Sequence, residues 1–354
     1  MKRIVRLLVI GGLLLAAAGC GEPGYYVQSI SGHLAVMSQR RPISKLLADP
    51  QTAPDLRQRL ETVLEIRRFS TVDLSLPDND SFSTYADIGR DAVVWSVIAA
   101  PVDSLTPVTW CFPFAGCVPY RGYFHQDAAD VYANRLRGDG FDVHVAEVPA
   151  YSTLGWFSDP VLSTFVNQPD WALAEVIIHE LAHQVVYVKD DADFNEAFAQ
   201  TVMEEGGRRW LATHGNDEQR IQADGVRSRQ ERFLQLVRRT RAALLNCYGC
   251  ETTRSAKLAC KGLALDALRQ NYAELKREWG GYAGYDGWLE HDLNNARFVS
   301  EATYYRLLPA FSVLLQQHNG DMKQFFLAVQ ALSERPASDR EAFLAGLLTK
   351  DPHQ

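Results

Sequence analysis

His179 and His183 stand four residues apart in the string His179-Glu180-Leu181-Ala182-His183. On a helix, side chains at i and i+4 share one face a turn apart, so both imidazoles can reach one metal ion while Glu180 faces a water beside it. The chemistry that this spacing serves is hydrolysis, with two imidazoles and a further ligand holding Zn²⁺ and the glutamate acting as general base. The preceding stretch, Trp171-Ala-Leu-Ala-Glu-Val-Ile-Ile-His179, is apolar on most faces and predicts a helix over residues 170–188 running through a domain interior. Histidines buried there need partners, and backbone carbonyls in a plain core helix are the bland way to supply them.

The elements that must hold such a helix come from a chain of 354 residues, 47% hydrophobic and 22% charged, a composition that makes it globular rather than disordered. Residues 1–19 read as a secretory signal: Lys2, Arg3 and Arg6 are basic, Leu7 to Ala18 is an apolar run too short for a confident membrane span, and small residues close it. Ala17-Ala18-Gly19-Cys20 resembles a bacterial lipobox, which implies that Cys20 becomes a lipid-bearing N-terminus. Gly21 after it implies sorting to the periplasmic face of an outer membrane. Losing Lys2, Arg3 and Arg6 makes the formal charge of -7 more negative by three. An acidic body argues against nucleic acid as a partner, because phosphate binding needs clustered Lys and Arg, so membrane contact is expected through the lipid alone.

Residues 20–354 are expected to form one domain of α+β, mostly α class, with a small mixed sheet and a helical part over about 216–354. Helices are predicted at 25–39, 43–48, 54–69, 126–136, 194–210, 322–334 and 339–348, with one running from Asn294 through Leu315. Strands are expected within 92–108, at 117–124 and at 142–148. Residues 217–245 and 257–278 form an amphipathic antiparallel hairpin whose interspersed charges suit a scaffold. The Gly/Tyr-rich loop 280–287 is flexible enough for a lid or is a plain connector. Cys111 and Cys117 flank Pro and Gly and are expected to close a small disulfide loop in a compartment where disulfides persist. Cys247, Cys250 and Cys260 leave one odd thiol, and the pairing is open.

His179-Glu-Leu-Ala-His183 followed by Asn195-Glu-Ala-Phe-Ala199 resembles the gluzincin group of zinc metallopeptidases. Together with the lipobox, Trp110-Cys-Phe-Pro-Phe-Ala-Gly-Cys-Val-Pro-Tyr-Arg-Gly-Tyr-Phe124 and Asn294-Asn-Ala296, the chain is similar to the bacterial family of putative aminopeptidases. The resemblance implies a zincin-like core, a zinc cofactor, a peptide substrate and hydrolysis near an N-terminus. The Gly-x-Met-Glu-Asn stretch that binds the substrate amine in zinc aminopeptidases is missing, so exo- and endopeptidase action both stay open. A metzincin site is excluded, because Val186 and Lys189 stand where Gly and His would follow His183. Zincins place an edge strand above the metal, and 150–157 is expected either to be that strand or to be a surface loop with a buried Trp156.

Glu196 is the expected third ligand, since two antiparallel helices joined by a short turn put it at the height of His183. Asp193 is nearer the turn and could serve instead, while Asp193 and Glu196 also have the spacing of a capping box. Gln200 falls where some gluzincins carry an Asp that orients a histidine, and with Asn195 it is expected to support the ligands. Related enzymes steady the oxyanion with a later Tyr or His, which makes Tyr304 and Tyr305 the catalytic candidates beside Glu180, with Tyr282 and Tyr285 behind them. A second reading, an envelope scaffold or binding lipoprotein with a structural or degenerate zinc site, leaves Glu180 without a use.

Overall fold

A computed structural model describes residues 23–113, 116–290 and 293–349; the expected signal segment and Cys20 lie outside them. In chain order the elements are Pro23–Ser38 (α1), Arg41–Pro42 (β1), Ile43–Ala48 (α2), Pro54–Val72 (α3), Thr84–Ala86 (β2), Val94–Pro101 (β3), Trp110–Phe112 (β4), Gly116–Val118 (β5) and Arg121–Tyr123 (β6). Gln126–Gly138 (α4), Phe141–Val148 (β7), Val161–Leu162 (β8), Asp170–Ala182 (α5), Ala192–His214 (α6), Asp217–Cys250 (α7) and Arg254–Glu278 (α8) follow. Asp286–Glu290 (α9), Asn295–Tyr305 (α10), Leu308–Gln317 (α11), Met322–Ser333 (α12) and Ala337–Thr349 (α13) end the chain. The fold is α+β and mostly helical, and among the described residues no helix is long and apolar enough to cross a membrane.

The strands form an antiparallel sheet in the order β6-β3-β7, a mixed sheet β1-β2-β8 and a hairpin β4-β5. In β3 the alternation of side chains separates two environments. Trp95, Val97 and Ala99 pack with Ala129, Ala133 and Leu136 of α4, while Ile98 meets Ala296 and Val299 of α10 on the other side.

The largest core surrounds α5. Trp171, Leu173, Ala174, Ile177, Ile178, Leu181 and Ala182 are all buried, so most of the helix circumference is covered, as its unbroken apolar run requires. Its main partner is α6, which returns antiparallel. Gly206 and Gly207 permit that approach: a Cβ at Gly206 would fall 2.9 Å from Ile178 Cδ1, and one at Gly207 would fall 2.6 Å from Glu175 Cγ. A separate cluster fills the α7-α8 hairpin, where Phe233, Leu236 and Leu244 face Leu265, Leu268 and Tyr272. Cys247 pairs with Cys260 across its tip, leaving Cys250 exposed and free, and Cys111 pairs with Cys117 around the β4-β5 turn.

Three expectations differ. Helix α5 stops at Ala182 rather than 188, because the β-branched and aromatic run Val185-Val186-Tyr187-Val188 favours extension and Asn195 takes both backbone groups of Val188. The helix through Leu315 breaks at 306–307, where Pro309 near the start of α11 cannot continue a hydrogen-bonded helix. Residues 150–157 are no strand: Leu154 (φ 56°) and Gly155 (φ 80°) are left-handed, and Trp156 is exposed rather than buried. The Gly/Tyr loop packs on α7, with Arg229 over the Tyr282 ring and Tyr285 stacked on Phe233.

Gly206→Leu is expected to lower unfolding free energy by about 2 kcal/mol, since the added side chain has no room between α5 and α6. Urea unfolding followed by circular dichroism checks this; an unchanged midpoint would show that the helix contact is loose.

Candidate metal centre

The turn between α5 and α6 is built to hold a register. Asp191 caps α6 by accepting from Phe194 N (3.2 Å) and is itself paired with Arg340 (2.6 Å). Asn195, one turn in, accepts from Val188 N (2.7 Å) and donates to Val188 O (2.8 Å). The connector is therefore tied to the first turn of α6, and Glu196 follows directly. Asp193 pairs with Arg306 at 2.6 Å, and with Asp191 as the cap Glu196 is not part of a capping box.

Glu196 Oε2 lies 3.4 Å from His179 Nε2 and 3.7 Å from His183 Nε2, and the two Nε2 atoms are 3.2 Å apart. Ligands bound tetrahedrally at 2.0–2.1 Å are separated by about 3.3 Å, so these three atoms already stand close to the edges of one coordination polyhedron. The group can hold a metal ion. Burial pushes His183 down to about 4, which keeps its imidazole neutral and able to coordinate. Burial would raise Glu196, but His183 and His179 outweigh it and hold the carboxyl below its ordinary value. For His179, burial lowers and Glu196 raises, and the raising effect wins. Both Nδ1 atoms are buried without a hydrogen-bond partner among the described residues.

These groups open into a cleft of about 480 Å³. Val94, Ser96 and Ile98 of β3 and Ala146 and Val148 of β7 line it on the sheet side, with His179, Glu180, His183 and Glu196 on the helix side. Burial pushes the Glu180 carboxyl up to about 7, His179 opposing it and Glu196 adding to it.

The structure thus brings His179, Glu180, His183 and Glu196 together in one cleft. Gln200 donates to Glu204 (3.0 Å), and Asn195 clamps the connector, so neither amide orients a histidine. The Tyr305 hydroxyl accepts from Gln230 (3.2 Å) on α7 and is not among the described cleft residues; the side chain of Tyr304 lies outside the described ones. The cleft tyrosines that sequence reasoning missed are Tyr120, Tyr151 and Tyr187. Tyr120 is raised by burial first and then by Glu196, Tyr187 and Glu180. Its only signal was its place at the exit of the disulfide loop.

Fold and site together define a mostly helical α+β protein with a His₂Glu group that could hold a metal ion, in a cleft that also contains a second carboxylate, Glu180. The model of a family described as "Putative aminopeptidase" matches residues 24–344, and the chain belongs to that family, whose name points to a peptidase. No curated protein and no solved structure matches the chain.

The loop bordering the cleft is coiled around Asp159, which accepts from Thr153 N (2.9 Å) and Thr153 Oγ1 (2.8 Å). Burial pushes its carboxyl up to about 6, against an ordinary 3.8. The folded state then binds the proton more tightly than the unfolded chain, so stability falls as pH rises from about 4 to about 6 and the loss is complete above that. Asp159→Asn, which keeps an acceptor for Thr153 N and can donate to Thr153 Oγ1, should melt increasingly above the wild type across that interval. Thermal melts at pH 4 and pH 8 check it; a difference that does not change with pH would count against the raised value.

Proposed function

We propose that the chain is a zinc-dependent peptidase of the gluzincin type, held in the bacterial cell envelope by a lipid on Cys20. The observation that carries this reading is the convergence of His179 Nε2, His183 Nε2 and Glu196 Oε2, with Glu180 in the same cleft. Imidazole suits zinc better than magnesium or calcium, and His₂Glu with an open position is a standard hydrolytic set. Zinc bound there supplies Lewis acidity towards the scissile carbonyl and the attacking water.

The chain's own residues do the rest. Glu180 takes a proton from the water as its oxygen bonds to the carbonyl carbon, and returns it to the amine nitrogen as the C–N bond breaks. One water is consumed, and a carboxyl and an amine leave. Tyr120, on the cleft wall, donates its hydroxyl to the oxyanion that develops, the part first given to Tyr304 and Tyr305. The face formed by Val94, Ile98, Ala146 and Val148 receives apolar side chains of the substrate. The family name favours bonds near an N-terminus.

Three expectations test this. Glu180→Gln should keep metal content and melting temperature while turnover of a peptide library falls roughly 10²- to 10⁴-fold. Glu196→Ala should lose the metal in elemental analysis while Asp193→Ala keeps it; the reverse pattern would move the third ligand to Asp193. Tyr120→Phe should lower kcat by roughly 10²-fold with the metal retained, and Tyr305→Phe should leave kcat unchanged. Undiminished hydrolysis by Glu180→Gln would sink the mechanism.

A further inference from the structure

Helix α1 has two unlike faces. Its inner face is fitted to the β6 region: Gly32 lies where a Cβ would come within 2.3 Å of Phe124, Gln28 Oε1 accepts from Phe124 N (3.0 Å), Arg121 sits over the Tyr25 ring at 4.1 Å, and Val36 is buried. Its outer face is apolar. Val27, Ile30 and Leu34, spaced three and four apart and therefore on one stripe, are 67%, 62% and 58% exposed. Between them lie only Gly24, Ser31, Ala35 and Ser38, and the sixteen residues of α1 contain no Asp, Glu, Lys or Arg. A solvated helix face ordinarily carries charges; one without any is suited to an apolar neighbour.

Two exposed aromatics extend the stripe. Phe157 packs 4.8 Å from His33 of α1, and beside it Trp156 is 72% exposed, the two at the tip of the loop coiled by Asp159. His33 Nδ1 is also 2.8 Å from the Tyr151 hydroxyl, which fixes the loop to the helix. Aliphatic side chains with an adjoining Trp are the composition of surfaces that enter the lipid headgroup boundary.

The chain outside the described residues argues for the same occupant. It ends at residue 22, immediately before α1, and carries Lys2, Arg3 and Arg6 followed by the apolar run Leu7 to Ala18. A segment of that composition is directed to a membrane. From Cys20 to Pro23 an extended chain spans at most roughly 10 Å, so α1 starts within a headgroup layer's thickness of any attachment at Cys20.

We infer that the outer face of α1, with Trp156 and Phe157, lies in the interface of the lipid bilayer to which the N-terminus is directed, so that the domain is seated on the membrane rather than swinging from a tether. The loop that meets the lipid is also the loop whose Ala150, Tyr151, Ser152 and Leu154 line the cleft. This inference rests on the membrane-directed N-terminus and not on peptidase activity.

The test uses the full chain reconstituted in vesicles of phosphatidylethanolamine and phosphatidylglycerol, with a fraction of acyl chains brominated to quench nearby tryptophan. Wild type should show quenching, and Trp156→Phe should remove most of it. The triple variant Val27→Gln, Ile30→Gln, Leu34→Gln should also lose most of the quenching while its circular dichroism, melting temperature and vesicle retention match the wild type. Equal quenching in wild type and both variants would overturn the inference. So would a vesicle-free dimer that the triple variant abolishes with vesicle quenching absent throughout, which would assign the face to a second copy of the chain.

Discussion

The antiparallel contact between α5 and α6 is the constraint on which the site depends. Two candidate ligands project from the last turn of one helix and the third from the second turn of the other, so one residue of slip in α6 would swing Glu196 by about 100° and remove it from the imidazoles. The register is held at both ends of the contact. At the far end Gly206 and Gly207 admit Ile178 and Glu175, and at the near end Asn195 grips Val188 while Arg340 holds the Asp191 cap. Close helix approach and the hydrogen-bonded connector thus act as one device. Its output is three candidate ligand atoms within 3.7 Å of one another.

That arrangement is electrostatically costly, because Glu180 and Glu196 lie near each other with little access to solvent. The molecule separates their behaviour by neighbours: Glu196 faces two imidazoles and is held ionised, whereas Glu180, with burial dominant, binds its proton more tightly than an ordinary glutamate. Two neighbouring carboxylates with opposite shifts are suited to different roles, one to hold a cation and the other to exchange a proton.

How much of this was legible in the chain depended on the range of the interactions. The i, i+4 histidines, the cap-and-turn before Glu196 and the α7-α8 hairpin are local patterns, and they were read with small errors at the ends. What failed were features decided by side-chain-to-backbone hydrogen bonds that follow no helical or strand period. The end of α5 is set by Asn195, and the shape of 150–157 is set by Asp159 together with two left-handed residues. Neither can be read from periodicity. The break before α11 differs, since Pro309 marks it in the sequence itself through its missing N–H.

The tyrosines show the same limit most clearly. Tyr304 and Tyr305 were candidates because they follow the metal motif in the chain, yet Tyr305 turns its hydroxyl to Gln230, while Tyr120 arrives from upstream. What delivers Tyr120 is the disulfide loop. Asp190 Oδ1 accepts from Cys117 N (2.6 Å), and Lys189 Nζ donates to Pro113 O (3.3 Å), so the loop closed by Cys111 and Cys117 is docked on the same connector that sets Glu196. Gly116 (φ 78°) is required there, because any Cβ would lie 2.4 Å from Asp190 Oδ1. The 189–191 turn therefore positions two parts of the cleft at once: through Asp191 and α6 it places Glu196, and through Asp190 and the cysteine loop it places Tyr120. The small disulfide loop belongs to the scaffold of the site, and the acidic pair Asp190-Asp191 is what joins it to the helices that carry His179, His183 and Glu196.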